Sequence, residues 1–221
     1  MNLYNELTNI WSKALGREPI ASKAIANLLD QMDDMREQAK QAWIKTFTGK
    51  RLHAFNPRPE EIHLMDIAHA LSKNNRFTGH SMANYTVGQH SLHVYDVLRR
   101  MGESPETCLM GLLHDGSEAY LQDIAKPFKN FLPDYQEVEE GLQNAIFQKY
   151  LGFVPTQEQY SVVKLVDEIL LVNEIEQLMP SDSDWYIPDV PRIHVDVAQQ
   201  YSQHYIRSQF LIIASELGAT D

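Results

Sequence analysis

His114 and Asp115 stand side by side in Leu112-Leu113-His114-Asp115-Gly116-Ser117-Glu118. If this segment is helical, His114 and Glu118 are four apart and Asp115 and Glu118 three apart, spacings that share a helix face. One imidazole nitrogen and two carboxylates on one patch suit a divalent cation with an acid or base beside it. Two more residues extend the set. His90 lies upstream, near the start of a predicted helix, and Asp167 interrupts the apolar run Val162, Val163, Leu165, Val166, Ile169, Leu170, Val172, Ile175. A charge within such a run must be paired, hydrogen-bonded or metal-bound, because isolated burial costs several kcal/mol. His90, His114, Asp115 and Asp167 thus offer two imidazoles and two carboxylates from three predicted helices. That donor set suits Mn²⁺, Fe²⁺, Co²⁺, Ni²⁺ or Zn²⁺, with Mg²⁺ also open.

The elements that must position these residues read as helices almost throughout. Residues 3–15 form an amphipathic pattern through Leu3, Leu7, Ile10 and Trp11, and a longer one runs from about Ser22 to Thr46. Thr48-Gly49-Lys50 breaks it, and Phe55-Asn56-Pro57-Arg58-Pro59 is a rigid connector disfavouring helix. The expected organisation is an N-terminal helical arm over residues 1–52 and a main domain over 53–221. In the main domain Asp66 is expected to cap a helix to Leu71, and further helices run from Tyr85 to Arg100, from Glu106 into His114-Asp115, from Pro133 to Gly152, from Pro155 to Met179 and from Val195 to Leu217. The fold class expected is all-α. Strand-like alternation is scarce.

Composition narrows the function classes. The 221 residues carry 19 Lys plus Arg against 30 Asp plus Glu, a formal net charge of −11. A nucleic-acid polymer requires a basic footprint, so it is not an expected partner; a nucleotide needs only a few local cations. The lone Cys108 permits no internal disulfide, which fits a reducing cytoplasm. No apolar run reaches the length of a membrane span, so no membrane partner is expected. The aromatic N-terminal arm and the loop carrying Trp185 and Tyr186 point to a homo-oligomer.

The order His90, then His114-Asp115, then Asp167 resembles the HD-domain metal-dependent phosphohydrolases, over roughly Phe55 to Met179. His114-Asp-Gly-Ser-Glu118 resembles the His-Asp-x-x-Glu form of the bacterial 5′-deoxynucleotidases. The strings Asp66-Ile-Ala-His-Ala-Leu-Ser72, Arg76-Phe-Thr-Gly-His80 and Tyr85-Thr-Val-Gly-Gln-His90-Ser91 resemble a branch that includes phage dATP triphosphohydrolases.

The resemblance implies an HD-type helical bundle binding a divalent metal through His90, His114, Asp115 and Asp167. It implies Glu118 as the catalytic carboxylate beside Asp115. Arg76 matches a basic residue near the phosphate, and Phe77 stands where relatives often have Trp. Asp123 matches a polar residue near the sugar, and Pro127 and Lys129 match positions near the sugar and phosphate tail. Read from the residues themselves, the loop ending in Gly79-His80 suits close approach to a substrate, and Lys126 and Lys164 are further cations for a polyphosphate. His63 and His69 are expected to be structural or surface histidines, and His93 an inward structural one. The activity implied is deoxynucleotide hydrolysis, favouring dATP and yielding deoxyadenosine and triphosphate. The alternatives are a 5′-deoxynucleoside monophosphatase and an inactive HD-fold binding protein.

Overall fold

A computed structural model describes residues 20–181 and 187–221. The expected helix over 3–15 and the aromatic pair Trp185 and Tyr186 lie outside the described residues. The chain divides into two units, residues 1–42 and 43–221, so the division falls ten residues before the expected limit at 52. In the first unit helix α1 spans Ile20–Ala39 and carries the stripe Leu28, Met32 and Met35.

The predicted extension of that helix to Thr46 does not form. Instead β1 (Ile44–Lys45) pairs antiparallel with β2 (Arg51–Leu52), pairing Ile44 with Leu52 and Lys45 with Arg51. Gly49 makes the turn between them at φ +83, a backbone angle that suits glycine. Asp66 explains why this hairpin is worth forming. Its carboxylate accepts from the Thr48 N–H at 2.6 Å and from Thr48 Oγ1 at 2.8 Å, anchoring the turn to the next helix.

That helix, α2 (Leu64–Leu71), is therefore not capped by Asp66. His63 at its N-cap makes no side-chain cap bond. The Leu64 N–H donates instead to Asp221, 157 residues away, at 2.9 and 3.1 Å. A carboxylate there satisfies an orphan donor and meets the positive helix end.

The remaining helices are α3 (Val87–Met101), α4 (Pro105–Leu113), α5 (Glu118–Leu121), α6 (Lys126–Lys129), α7 (Pro133–Leu151), α8 (Gln157–Leu178) and α9 (Gln203–Glu216). Their ends follow local chemistry. Thr86, Ser104, Thr156 and Ser202 each accept from a backbone N–H as N-caps, and Thr156 with Gln159 forms a reciprocal capping box. Gly102 and Gly152 end α3 and α7 in the left-handed region. Helix α4 packs against α3, α7 and α8, and α9 covers α2 and α3. The core includes Leu98, Leu112, Leu113, Leu142, Ile146, Leu170 and Phe210, all fully buried.

The last helix starts at Gln203 rather than at Val195. Residues 187–202 run without regular structure, and side-chain amides from α8 hold them. Asn173 receives the Val195 N–H and donates to Ile193 O; Gln177 donates to Val195 O and receives the Val197 N–H. Val195 and Val197 are buried two residues apart, the period of an extended chain. Among the described residues no helix is long and apolar enough to cross a membrane.

Candidate metal centre

Helix α4 ends at Leu113, and His114 is its C-cap. Residues 114–117 form a turn in place of the expected continuous helix. Gly116 N bonds Leu113 O at 2.9 Å and Glu118 N bonds Asp115 O at 3.1 Å, both three residues back. The tight turn needs Gly116, where a Cβ would sit 3.0 Å from Leu113 O and 3.2 Å from Ile146 Cδ1. Gln143 on α7 secures it from outside, receiving the Ser117 N–H and donating to Leu113 O.

Helix α3 brings His90 against this turn. Gly111 lets the two helices close. A Cβ there would meet Val94 Cγ1 at 3.0 Å and overlap Leu98 Cδ1. The result is His90 Nε2 at 3.2 Å from His114 Nε2. Asp115 Oδ2 lies 3.1 Å from His114 Nε2 and 3.9 Å from His90 Nε2.

Hydrogen bonding fixes which ring nitrogens are free. His114 Nδ1–H donates to Gly111 O at 2.8 Å, and His90 Nδ1–H donates to Glu174 Oε1 at 2.6 Å. In neutral rings both Nε2 atoms are then bare lone pairs. They face each other and a carboxylate oxygen, so positive charge is required between them. A metal ion or a proton meets that need. Burial and the Arg76 charge lower the His90 pKa, but Glu174 and Asp167 raise it more, to about 9. His90, His114 and Asp115 could therefore hold a metal ion, each offering one ligand atom within 4.8 Å of the others. Asp167, on α8, approaches the same place. Its Oδ1 is 3.1 Å from His90 Nε2, and its side chain is 39% exposed.

Glu174, fully buried, was not expected from the sequence as part of this site. It lies seven residues, two helical turns, after Asp167 and so shares its face. Besides His90 it binds Arg76, whose Nε and Nη2 each lie 3.0 Å from Glu174 Oε2. Burial would raise its pKa, but Arg76 and His90 hold it below the usual carboxylate range. Arg76 also faces the centre, with Nη1 3.5 Å from Asp115 Oδ2 and Nη2, which it shares with Glu174, 4.0 Å from Asp167 Oδ1.

Arg76 leaves a turn with unusual backbone. Phe77 and Thr78 take φ 55 and 51, and Gly79 takes φ +79. Left-handed non-glycine residues cost of order 1–3 kcal/mol each, and such strain gathers at functional sites. Bonds from Arg76 N to Tyr85 O and from Val87 N to Asn74 O close the base of this loop. The Phe77 ring centroid lies 5.9 Å from the Arg76 guanidinium carbon.

Glu118 opens α5 and is 6% exposed. Its Oε2 is buried without a hydrogen-bond partner among the described residues, and its Oε1 lies 3.7 Å from Lys129 Nζ. Burial, then the Asp115 and Asp123 charges, push its pKa well above the carboxylate range, against Lys129 and Arg76. A buried carboxyl with a raised pKa beside a cation site is suited to proton transfer. A cavity of about 560 Å³ adjoins it, lined in part by His114, Asp115, Glu118, Lys129, Gln143 and Tyr160.

The other expected residues divide. Lys129 reaches the site but is held at 2.7 Å by Glu139. Asp123 is half-buried, and its charge acts on Glu118. Lys126 and Pro127 on α6, Lys164 on α8, and Gly79 and His80 are all exposed, and no contact joins them to the four ligand candidates among the described residues. His93 lies on α3, three residues after His90. It faces Tyr85 Oη at 3.0 Å, and burial and His90 lower its pKa to about 4.

No protein-family model matches the chain. Over 145 residues it is 35% identical to the uncharacterized protein YfdR of Escherichia coli, covering 66% of this chain and 77% of that one. Over a further alignment of 145 residues it is 31% identical to the uncharacterized protein RCAP_rcc00048 of Rhodobacter capsulatus, covering 63% and 74%. On the first of these matches, the chain belongs to the family of YfdR.

Proposed function

We propose that the protein is a metal-dependent deoxynucleotide phosphohydrolase with dATP as its favoured substrate. The observation that carries this reading is Glu118, a buried carboxyl with an unpaired oxygen, next to the cluster of His90, His114 and Asp115. His90, His114, Asp115 and Asp167 would hold a divalent cation, which polarises a phosphoryl oxygen and acidifies a water when bound.

The chain's own groups supply the remainder. Arg76, aimed by Glu174, binds a phosphate oxygen and offsets its charge. Glu118 receives a proton from the attacking water as carboxylate, or gives one to the departing 5′-oxygen as acid. Lys129 sits where it can exchange Glu139 or Glu118 for phosphate. Water attack at the α-phosphorus breaks its bond to the 5′-oxygen, giving deoxyadenosine and triphosphate. Stepwise action on dADP and dAMP uses the same bond. The dATP preference rests on the resemblance of the Arg76–His80 and Tyr85–Ser91 strings.

One observation favours a second reading. Of the expected cations, Arg76 alone contacts the ligand candidates among the described residues, and Lys129 is already paired. A single guanidinium suits a single phosphate, hence a 5′-deoxynucleoside monophosphatase.

The test is a panel of ribo- and deoxynucleotides with Mn²⁺ or Co²⁺, products separated by chromatography. Triphosphate from dATP supports the main reading. Phosphate from deoxynucleoside monophosphates alone supports the second, and no turnover with any metal favours an inactive binding protein.

A further inference from the structure

The C-terminal turn of α2 and the N-terminal turn of α9 enclose a separate cleft of about 270 Å³, lined by His69, Ser72, Lys73, Gln203, His204 and Arg207. None of these residues lines the cavity beside Glu118 or belongs to the ligand set. The cleft concentrates cations in a chain whose net charge is −11.

Its hydrogen bonding does not close. Lys73 Nζ lies 2.9 Å from His69 Nε2, and Arg207 Nη1 lies 3.2 Å from His69 Nδ1. A neutral imidazole has one lone pair, so it can accept from one of these donors and must turn its own N–H toward the other. Protonating the ring would remove the last acceptor. Arg207 Nη2 reaches His204 Nδ1 at 3.4 Å, again a nitrogen. Among the described residues neither Lys73 nor Arg207 has a carboxylate within ion-pair distance. The nearby Asp66 is engaged by the Thr48 N–H and hydroxyl. Burial, Lys73 and Arg207 all lower the His69 pKa, with only Asp66 opposing them.

Two further features fit an incoming anion. Gln203 and His204 open α9, a helix of 14 residues whose N-terminal end carries partial positive charge. Phe47 stacks on His69 with ring centroids 3.6 Å apart and planes 11° apart, and Phe47 is 57% exposed. Its outer face is an aromatic platform beside the cations, the arrangement that takes a base next to its phosphates.

We infer that Lys73, Arg207, His69 and the start of α9 form a second site, which binds a phosphate-bearing anion. The anion supplies the acceptor oxygens that the two cations lack. The bare phosphate chain and the nucleotide share this chemistry, and Phe47 distinguishes them.

The test is titration calorimetry with inorganic triphosphate, dATP and ATP in EDTA, using the wild-type protein and Asp115→Ala. Binding is expected in both, because this site needs no metal. Arg207→Ala and Lys73→Ala should each weaken it about tenfold, as loss of a charge-assisted hydrogen bond does. Lys73→Arg, which keeps the charge, should retain it and guards against a folding artefact. Equal affinity for triphosphate and dATP assigns the site to a phosphate chain. Tighter dATP binding that falls in Phe47→Ala assigns it to a nucleotide. Absence of binding at millimolar ligand overturns the proposal, as does binding that Asp115→Ala abolishes while Arg207→Ala leaves it intact.

Discussion

Glu174 Oε1 accepts the His90 Nδ1–H at 2.6 Å while its Oε2 accepts from Arg76 at 3.0 Å. One buried carboxylate therefore orients both a metal-ligand candidate and the cation expected to meet phosphate. Glu174→Ala should cost about 3–5 kcal/mol of stability, because it removes the nearest carboxylate of the buried Arg76 and the acceptor of the His90 Nδ1–H. Glu174→Gln keeps the volume and should fold better, but should bind Co²⁺ about 10–100-fold more weakly, since His90 loses its anionic partner. Denaturant titration and the visible spectrum of the Co²⁺ form check the two effects separately.

Asp115 and Glu118 should separate binding from turnover. Asp115→Ala is expected to abolish both metal retention and hydrolysis. Glu118→Gln is expected to retain metal and lose about 10²–10⁴ in kcat, the usual worth of a positioned acid or base. Metal content of the purified variants, set beside their steady-state rates, decides this. Full activity in Glu118→Gln would remove that carboxyl from the proton transfer.

Gly111 sets the spacing between α3 and α4, and its carbonyl fixes the His114 tautomer. Gly111→Ala should overpack Val94 and Leu98 and cost about 1–3 kcal/mol. It should also weaken metal binding by moving His114 away from His90. A thermal melt and a Co²⁺ titration on the same sample check both consequences.

Asp221 makes one contribution to the pH dependence of the fold. Burial raises its pKa, but the Leu64 N–H, Tyr150 Oη, Lys149 and His63 together lower it. The folded value thus lies below the unfolded one of about 3.9. Its contribution is present above that unfolded value and disappears as pH falls through the folded one. Asp221→Ala should cost about 1–2 kcal/mol at neutral pH, the worth of a helix cap and its hydrogen bonds. The gap in melting temperature from wild type should close in strong acid.

How far the sequence foretold this arrangement depends on what kind of signal each part leaves. The α8 helix was legible from its long apolar run, whereas its cap Thr156 and the α3 cap Thr86 were not named from the sequence. His114 and Asp115 were legible as an adjacent His-Asp pair at the end of an apolar run, and His90 as a further ligand type from an upstream helix. Glu174 could have been found by the same logic, since it interrupts the apolar run two turns after Asp167, but its partners His90 and Arg76 are distant in the chain. The turn at 114–117 was hidden because Gly116 is hemmed in by Leu113 O and, from another helix, by Ile146. The extended segment 187–202 was misjudged as helix near Val195. Its structure depends on amides of Asn173 and Gln177, and burial of Val195 and Val197 at period two was the clue. Asp66 was assigned to a cap because Asp commonly serves there, whereas Thr48 claims it and Asp221 does the capping.

The most direct measurement is an anomalous difference map from a crystal grown with Mn²⁺ or Co²⁺. The account predicts a peak between α3, α4 and α8, about 2.0–2.2 Å from His90 Nε2, His114 Nε2 and an Asp115 oxygen, with Asp167 turned in to join them. A map with no peak there, at ion concentrations that saturate metal-dependent activity, would contradict it.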